Sequence, residues 1–228
     1  VGGNMDGFVA KVGADDAERF VCDSPFDYNA HMRAFIATDA PDVERETGRL
    51  DSDYRSRVCK KLREKVRGGT LILFTSYADL NKTAKFLEEN IVGRKIFVQG
   101  RMSRRETVNA FAEAGNAILL GTDMFWTGID LPGEKLSQVI ITRLPFENFQ
   151  HPLLQARIDR LRQEGGNPFM ELSLPAAIIK FRQGVGRLIR SASDRGVIAV
   201  LDSRIVTKAY GKNFVDAIPT DRVERFEE

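Results

Sequence analysis

Residues 71–77 read LILFTSY, and residues 197–202 read VIAVLD. Neither run alternates apolar with polar, so both faces of each segment are apolar, as in strands covered by helices on either side. Similar short runs lie at 19–22, 34–38, 95–99, 117–121 and 138–142. Between them sit helical patterns at 51–66, 78–90, 104–114, 152–163, 175–191 and 203–215. Strands alternating with helices predict an α/β layered domain, a parallel sheet of about six or seven strands with helices on both faces.

The 228 residues carry 34 Lys or Arg against 32 Asp or Glu, a net charge of +2, and 43% are hydrophobic. That composition belongs to a folded chain rather than a disordered one. No apolar run approaches the roughly 18 residues of a membrane span, and the first residues lack the basic-then-apolar order of a signal peptide. Cys22 and Cys59 are too few for a disulfide framework or a four-cysteine cluster. His31 and His151 have no ligand spacing with them, so no metal site is expected. The expected compartment is the reducing cytoplasm. The chain opens on valine and is expected to be part of a longer protein. The charged segment at 50–67 reads as a solvated amphipathic helix rather than a nucleic-acid contact.

Residues 173–196 read SLPAAIIKFRQGVGRLIRSASDRG. At about 100° per residue, Ile178, Phe181, Val185, Leu188 and Ile189 fall on one side and Lys180, Gln183, Arg187 and Arg190 on the other. Gly184 and Gly186 disfavour helix by roughly 1 kcal/mol each, which suggests a close approach to the backbone. Two readings stand. The polar side is a solvated face of a core helix, or its planar guanidinium groups grip an anion such as a terminal nucleotide phosphate.

Residues 117–133, AILLGTDMFWTGIDLPG, run a buried strand into a polar turn. Ligands of open parallel sheets bind beyond the carboxyl ends of strands. Thr122 can donate to a phosphate. Phe125 and Trp126 could stack on a base or pack in the core. Asp130 could hold a ribose hydroxyl or pair with an arginine, and Asp123 could cap a helix. Thr75 and Ser76 offer hydroxyls at another strand end, as phosphate perch or N-cap. Gln99-Gly100, followed by Arg101, Arg104 and Arg105, makes a third polar strand end. No phosphate-binding G-x-x-x-x-G-K-[ST] loop and no Asp-Glu pair to hold magnesium is present, so the chain alone is not expected to turn over a nucleoside triphosphate.

Taken together these motifs resemble superfamily 2 helicases. Gln183-x-x-Gly186-Arg187-x-x-Arg190 resembles their motif VI, GTDMFWTGIDLPG motif V in its DinG/XPD form, and LILFTSY motif IV. Residues 24–41 and 188–219 resemble the entry and tail of the second motor domain of DinG-type proteins, so the likeness spans residues 18–219. It implies a RecA-like domain at 18–219 with a protruding helical insertion near 144–174, a lead-in at 1–17 and a tail at 220–228. It also implies ATP and Mg2+ bound mainly by a first motor domain carrying motifs I to III, which are missing from this chain. Any iron–sulfur cluster would lie outside this segment. By this likeness Arg187 and Arg190 are arginine fingers, and Gln183 orients the nucleotide or the attacking water. Gly128, Asp130 and Gly186 serve the ATP side, while Thr75, Ser76, Gln99, Thr122 and Trp126 contact DNA. The implied partners are single-stranded DNA, travelled 5′ to 3′, and the N-terminal motor domain of the same protein. A stand-alone single-stranded DNA-binding module without motor activity is the alternative. Between residues 180 and 212, eight basic residues face two acidic ones, so the overall balance hides a local basic excess.

Overall fold

The computed structural model describes residues 9, 13–14, 16–20, 22, 24–41, 52–64, 66–127, 135–147 and 151–228. Seven strands form one sheet: β1 (Met32–Ala37), β2 (Thr70–Leu73), β3 (Ile96–Val98), β4 (Ile118–Gly121), β5 (Gln138–Ile141), β6 (Gly196–Val200) and β7 (Val223–Phe226). Their order is β3-β4-β2-β5-β6-β1-β7, and every pairing is parallel. The helices are α1 (Tyr28–His31), α2 (Ser52–Glu64), α3 (Tyr77–Asn90), α4 (Arg104–Ala114), α5 (Asp123–Trp126), α6 (Pro152–Gln163), α7 (Leu174–Val185), α8 (Arg204–Thr207) and α9 (Gly211–Val215). A π-helical turn at Phe169–Ser173 leads directly into α7. Among the described residues no helix is long and apolar enough to cross a membrane.

The expected parallel sheet with two covered faces is observed. Leu71, Leu73, Leu119, Val139 and Ile141 point to one face, where Phe111, Trp126, Phe181 and Phe214 cover them. Ile72, Phe74, Ile118, Leu120 and Ile140 point to the other, under Tyr54, Val58, Leu80, Ala84 and Leu87. This alternation within unbroken apolar runs is why the strands lack an alternating sequence. The chain leaves β2 towards β3, returns as β4, and then crosses to β5 on the far side of β2. The crevice of such a sheet lies at this switch, outside the strands' carboxyl ends.

Four expectations need correction. Residues 19, 20 and 22 form no strand, residue 21 lies outside the described residues, and Phe20 is 82% exposed. The helix expected at 175–191 ends at Val185. The helix expected at 203–215 is two short helices: the first ends at Thr207, before Lys208, whose backbone is extended, and Gly211 then packs where a Cβ would stand 2.2 Å from the Ile205 carbonyl oxygen. The α2 segment is not simply solvated. Arg55 and Arg63 are buried within it, Arg55 pairing with Asp79 at 2.9 Å and Arg63 donating to the Val66 carbonyl and the Asn116 side chain.

Candidate nucleotide and nucleic-acid interface

The glutamine and arginines of 173–196 lie on and just past the end of α7. Gln183 is exposed on its last turn. Gly186 caps the helix in a right-handed conformation (φ −66°), and its amide donates to the Arg182 carbonyl at 2.8 Å. Arg187 and Arg190 therefore sit in the turn beyond the helix, each half-buried. Arg187 donates from Nη2 to the Trp126 carbonyl oxygen at 3.1 Å. The Arg190 and Ser191 amides donate to one Asp194 carboxylate oxygen at 2.8 and 2.9 Å, and the Ser191 hydroxyl donates to the other at 2.7 Å. Burial works against the charged Asp194, but the Ser191 hydroxyl and these two amides outweigh it and hold its carboxyl below the usual range. The turn is thus fixed through its backbone at residues 190–191, and at its start through the Arg187 side chain.

The close approach that the glycines imply is internal. A Cβ on Gly184 would stand 2.9 Å from Cε3 of Trp126 and 3.1 Å from Cδ1 of Leu73. Trp126 is wholly buried, donates from Nε1 to the Phe74 carbonyl at 2.9 Å, and offers no face to a base. This corrects its place among the DNA contacts. Lys180 stands over the indole at 5.8 Å and pairs with Asp123, so it does not join Gln183 and the arginines as a free cation. Gly128 and Asp130 lie outside the described residues.

The strand-end hydroxyls divide into two groups. Thr75, half-buried, lines a groove of about 430 Å³ together with Phe146, His151, Arg157 and Lys180. Ser76 is the N-cap of α3, its hydroxyl accepting from the Asp79 amide at 3.3 Å. Thr122 and Gln99 are spent on each other. The Gln99 carboxamide oxygen accepts the Thr122 amide at 2.7 Å and its hydroxyl at 3.2 Å, while Gln99 Nε2 donates to the Tyr77 hydroxyl at 2.5 Å. Both are almost fully buried, and Tyr77, at the end of this chain, is 55% exposed. The structure brings these strand ends to one rim, but it buries Gln99 and Thr122 beneath it.

Sequence reasoning passed over Arg143. It lies two residues beyond the last β5 position paired with β2, where Thr75 likewise leaves its strand. It makes no hydrogen bond or ion pair among the described residues. Burial pushes its guanidinium down and neighbouring Arg204 adds to that, while Asp202 and Asp79 pull the other way. Arg204 is buried too, but Asp202 holds it firmly protonated. The signal available in the sequence was a cation directly after a buried run, QVIITR, at the carboxyl end of a strand beside the switch.

Comparison with known proteins places this geometry. The helicase C-terminal domain family matches residues 59–221. The chain is 37% identical over 98% of its length to the 3'-5' exonuclease DinG of Bacillus subtilis (strain 168), covering 25% of that protein. It is 35% identical over 96% of its length to the ATP-dependent DNA helicase YoaA of Escherichia coli (strain K12), covering 34% of it. The chain thus spans a quarter to a third of the length of these relatives. S. tokodaii Xpd4 shares the fold with a TM-score of 0.66 at 19% identity, over 93% of this chain and 41% of that one. With its RecA-like parallel sheet and the Gln183 to Arg190 turn at the end of α7, the chain belongs to the helicase C-terminal domain family, in its DinG-like form.

Proposed function

We propose that the chain is the second motor domain of a DinG-like ATP-dependent DNA helicase that moves 5′ to 3′ along single-stranded DNA in the cytoplasm. One observation carries the reading: Arg187 and Arg190 stand together on a turn anchored by the Trp126 carbonyl and the Asp194 carboxylate. The Asp194 carboxylate holds the turn through the Arg190 and Ser191 amides and the Trp126 carbonyl holds Arg187 through Nη2, an ordering that favours a preorganised charge site over a freely solvated face. These groups suit a nucleotide phosphate held by the N-terminal motor domain, with Mg2+ supplying the remaining neutralisation when bound there. Gln183, exposed one turn earlier, is placed to orient the nucleotide or the attacking water.

Phosphoryl transfer depends on positioning and on stabilising developing charge. A site split between two domains makes the fit of Arg187 and Arg190 depend on cleft closure. Arg187 also bonds the segment that follows β4, so a change in its grip is passed to the strand-end rim. On that rim Thr75 and Arg143, leaving adjacent strands, are the groups proposed to hold DNA phosphates, with Ser76 at the start of α3 beside them.

The test is DNA-stimulated ATP hydrolysis by the full-length protein. Arg187→Ala and Arg190→Ala are each expected to lower turnover by about 10³-fold, the usual weight of an arginine finger, with ATP still bound. Near-normal turnover in both variants would sink the assignment.

A further inference from the structure

Eight large hydrophobic side chains are exposed among the described residues, and three of them, Tyr77, Met102 and Met124, line one small cleft. They come from different elements: Tyr77 begins α3, Met102 lies between β3 and α4, and Met124 lies in α5. Gln99, Gly100, Arg104, Thr107 and Phe125 complete a hollow of about 150 Å³. Single exposed apolar residues need no explanation, but three converging from separate elements do.

The Tyr77 ring is fixed. Its hydroxyl accepts from Gln99 Nε2 at 2.5 Å, and Gln99 is in turn held by the Thr122 amide at 2.7 Å. A ring anchored at its edge and more than half exposed has already lost much of the freedom that binding would otherwise remove. The electrostatics favour one class of occupant. The lining holds one cation, Arg104, and no carboxylate; Arg105 follows on α4, while Arg101 on the adjoining turn is paired with Glu88. Gly100 there takes φ +92°, a left-handed turn that carries the chain around the mouth of the cleft. Apolar surface with Arg104 at its edge and Arg105 beside it suits a base whose phosphates lie outside.

We propose that the cleft between Tyr77, Met102 and Met124 seats one unstacked base of a single-stranded nucleic acid, with Tyr77 as the stacking platform. The proposal rests on the reading of the strand-end rim as a nucleic-acid grip. It assigns Gln99 and Thr122 a positioning role: they hold the aromatic ring rather than touch the strand.

The experiment compares binding of a short oligothymidylate with binding of an abasic strand of equal length, by fluorescence anisotropy. Tyr77→Ala is expected to weaken oligothymidylate binding about ten-fold and to leave the abasic strand unaffected. Tyr77→Phe keeps the ring but loses the Gln99 tether, so it is expected to weaken oligothymidylate binding by less than Tyr77→Ala does; a loss equal to that of Tyr77→Ala would show that the ring itself contributes no stacking. Met124→Ala is expected to give a smaller loss, again only with bases present. Equal losses on both strands, or no loss on oligothymidylate, overturn the platform while leaving the phosphate grip standing. If the unaltered protein binds neither strand, the grip and the platform fall together. Circular dichroism of each variant separates loss of binding from loss of fold.

Discussion

Asp202, wholly buried at the end of β6, accepts the Arg204 guanidinium from Nε at 2.9 Å and from Nη2 at 2.6 Å, and the Leu144 amide at 2.8 Å. One carboxylate therefore ties the ends of β5 and β6 to the start of α8. Asp202→Asn removes the charge partner of a largely buried arginine that already stands near Arg143. Breaking such a pair costs about 3–5 kcal/mol. Urea denaturation should show a large fall in midpoint with an unchanged slope, and a loss under about 1 kcal/mol would mean that solvent already screens the pair.

Gly184→Ala sets helix propensity against packing. The change favours helix by about 1 kcal/mol. The new methyl, however, would sit 2.9 Å from the buried Trp126 ring and 3.1 Å from Leu73. Overpacking of this kind costs about 1–3 kcal/mol, so net destabilisation is expected in thermal melts. A stabilised variant would show that the indole can move aside.

The Asp194 clamp sets a dependence on acid. Its folded carboxyl lies below its ordinary value of 3.8, because the Ser191 hydroxyl and the Arg190 and Ser191 amides outweigh the opposing effect of burial. A depressed pKa contributes stability that is complete above the unfolded value and is lost as pH falls through the folded one. The stability gap between the unaltered protein and Asp194→Asn should be constant above about pH 5 and narrow below pH 3.8. A gap that widens in acid would contradict the assignment.

The two thiols should react very differently. Cys22 is exposed, whereas Cys59 is wholly buried in α2 and its thiol is pushed up to about 12 by burial, with Arg55 opposing. In the native protein at neutral pH one equivalent of a thiol reagent is expected to be consumed quickly. The second should follow only on unfolding. Fast reaction of both would mean that α2 opens readily from the sheet.

Arg143 gives a prediction with two opposed readouts. Its guanidinium is half-buried without a hydrogen bond or ion pair among the described residues. Arg143→Met should therefore raise the melting temperature, as expected where a functional group is held at a cost to stability. It should also weaken single-stranded DNA binding and reduce the slope of log K against log salt by about 0.7, the value of one phosphate contact. Unchanged affinity and slope would remove Arg143 from the grip.

Much of the architecture is legible in the sequence because burial writes it there. LILF and VIAVL can only be strands covered on both faces, and α6 falls at Pro152–Gln163, as its leading proline and its periodicity indicate. Periodicity records burial rather than helix, however. Leu188 and Ile189 keep the helical spacing and are buried, although the chain has left α7 three residues earlier. β7 escapes for the opposite reason. Its residues VERF are half or fully exposed at the sheet's edge, so their pattern is that of a tail.

The candidate site is legible in its chemistry and not in its contacts. The sequence marks Gln99, Thr122 and Trp126 as polar or aromatic groups at strand ends, where ligands bind. It does not contain the information that Gln99 meets Thr122 and Tyr77, or that Trp126 fills the space left by Gly184. Those pairings arise between segments far apart in the chain and depend on the sheet order.

Trp126 is the only tryptophan in the chain. Its ring lies against Gly184 and under Lys180, its Nε1 holds the end of β2, and its carbonyl holds Arg187. The chain therefore carries its single indole at the joint between its arginine turn and its strand ends. In isolation the emission should be blue, as for an indole sealed from water. Any rearrangement that frees Arg187 would alter that emission directly, so movement of the arginine turn can be followed optically without attaching a dye.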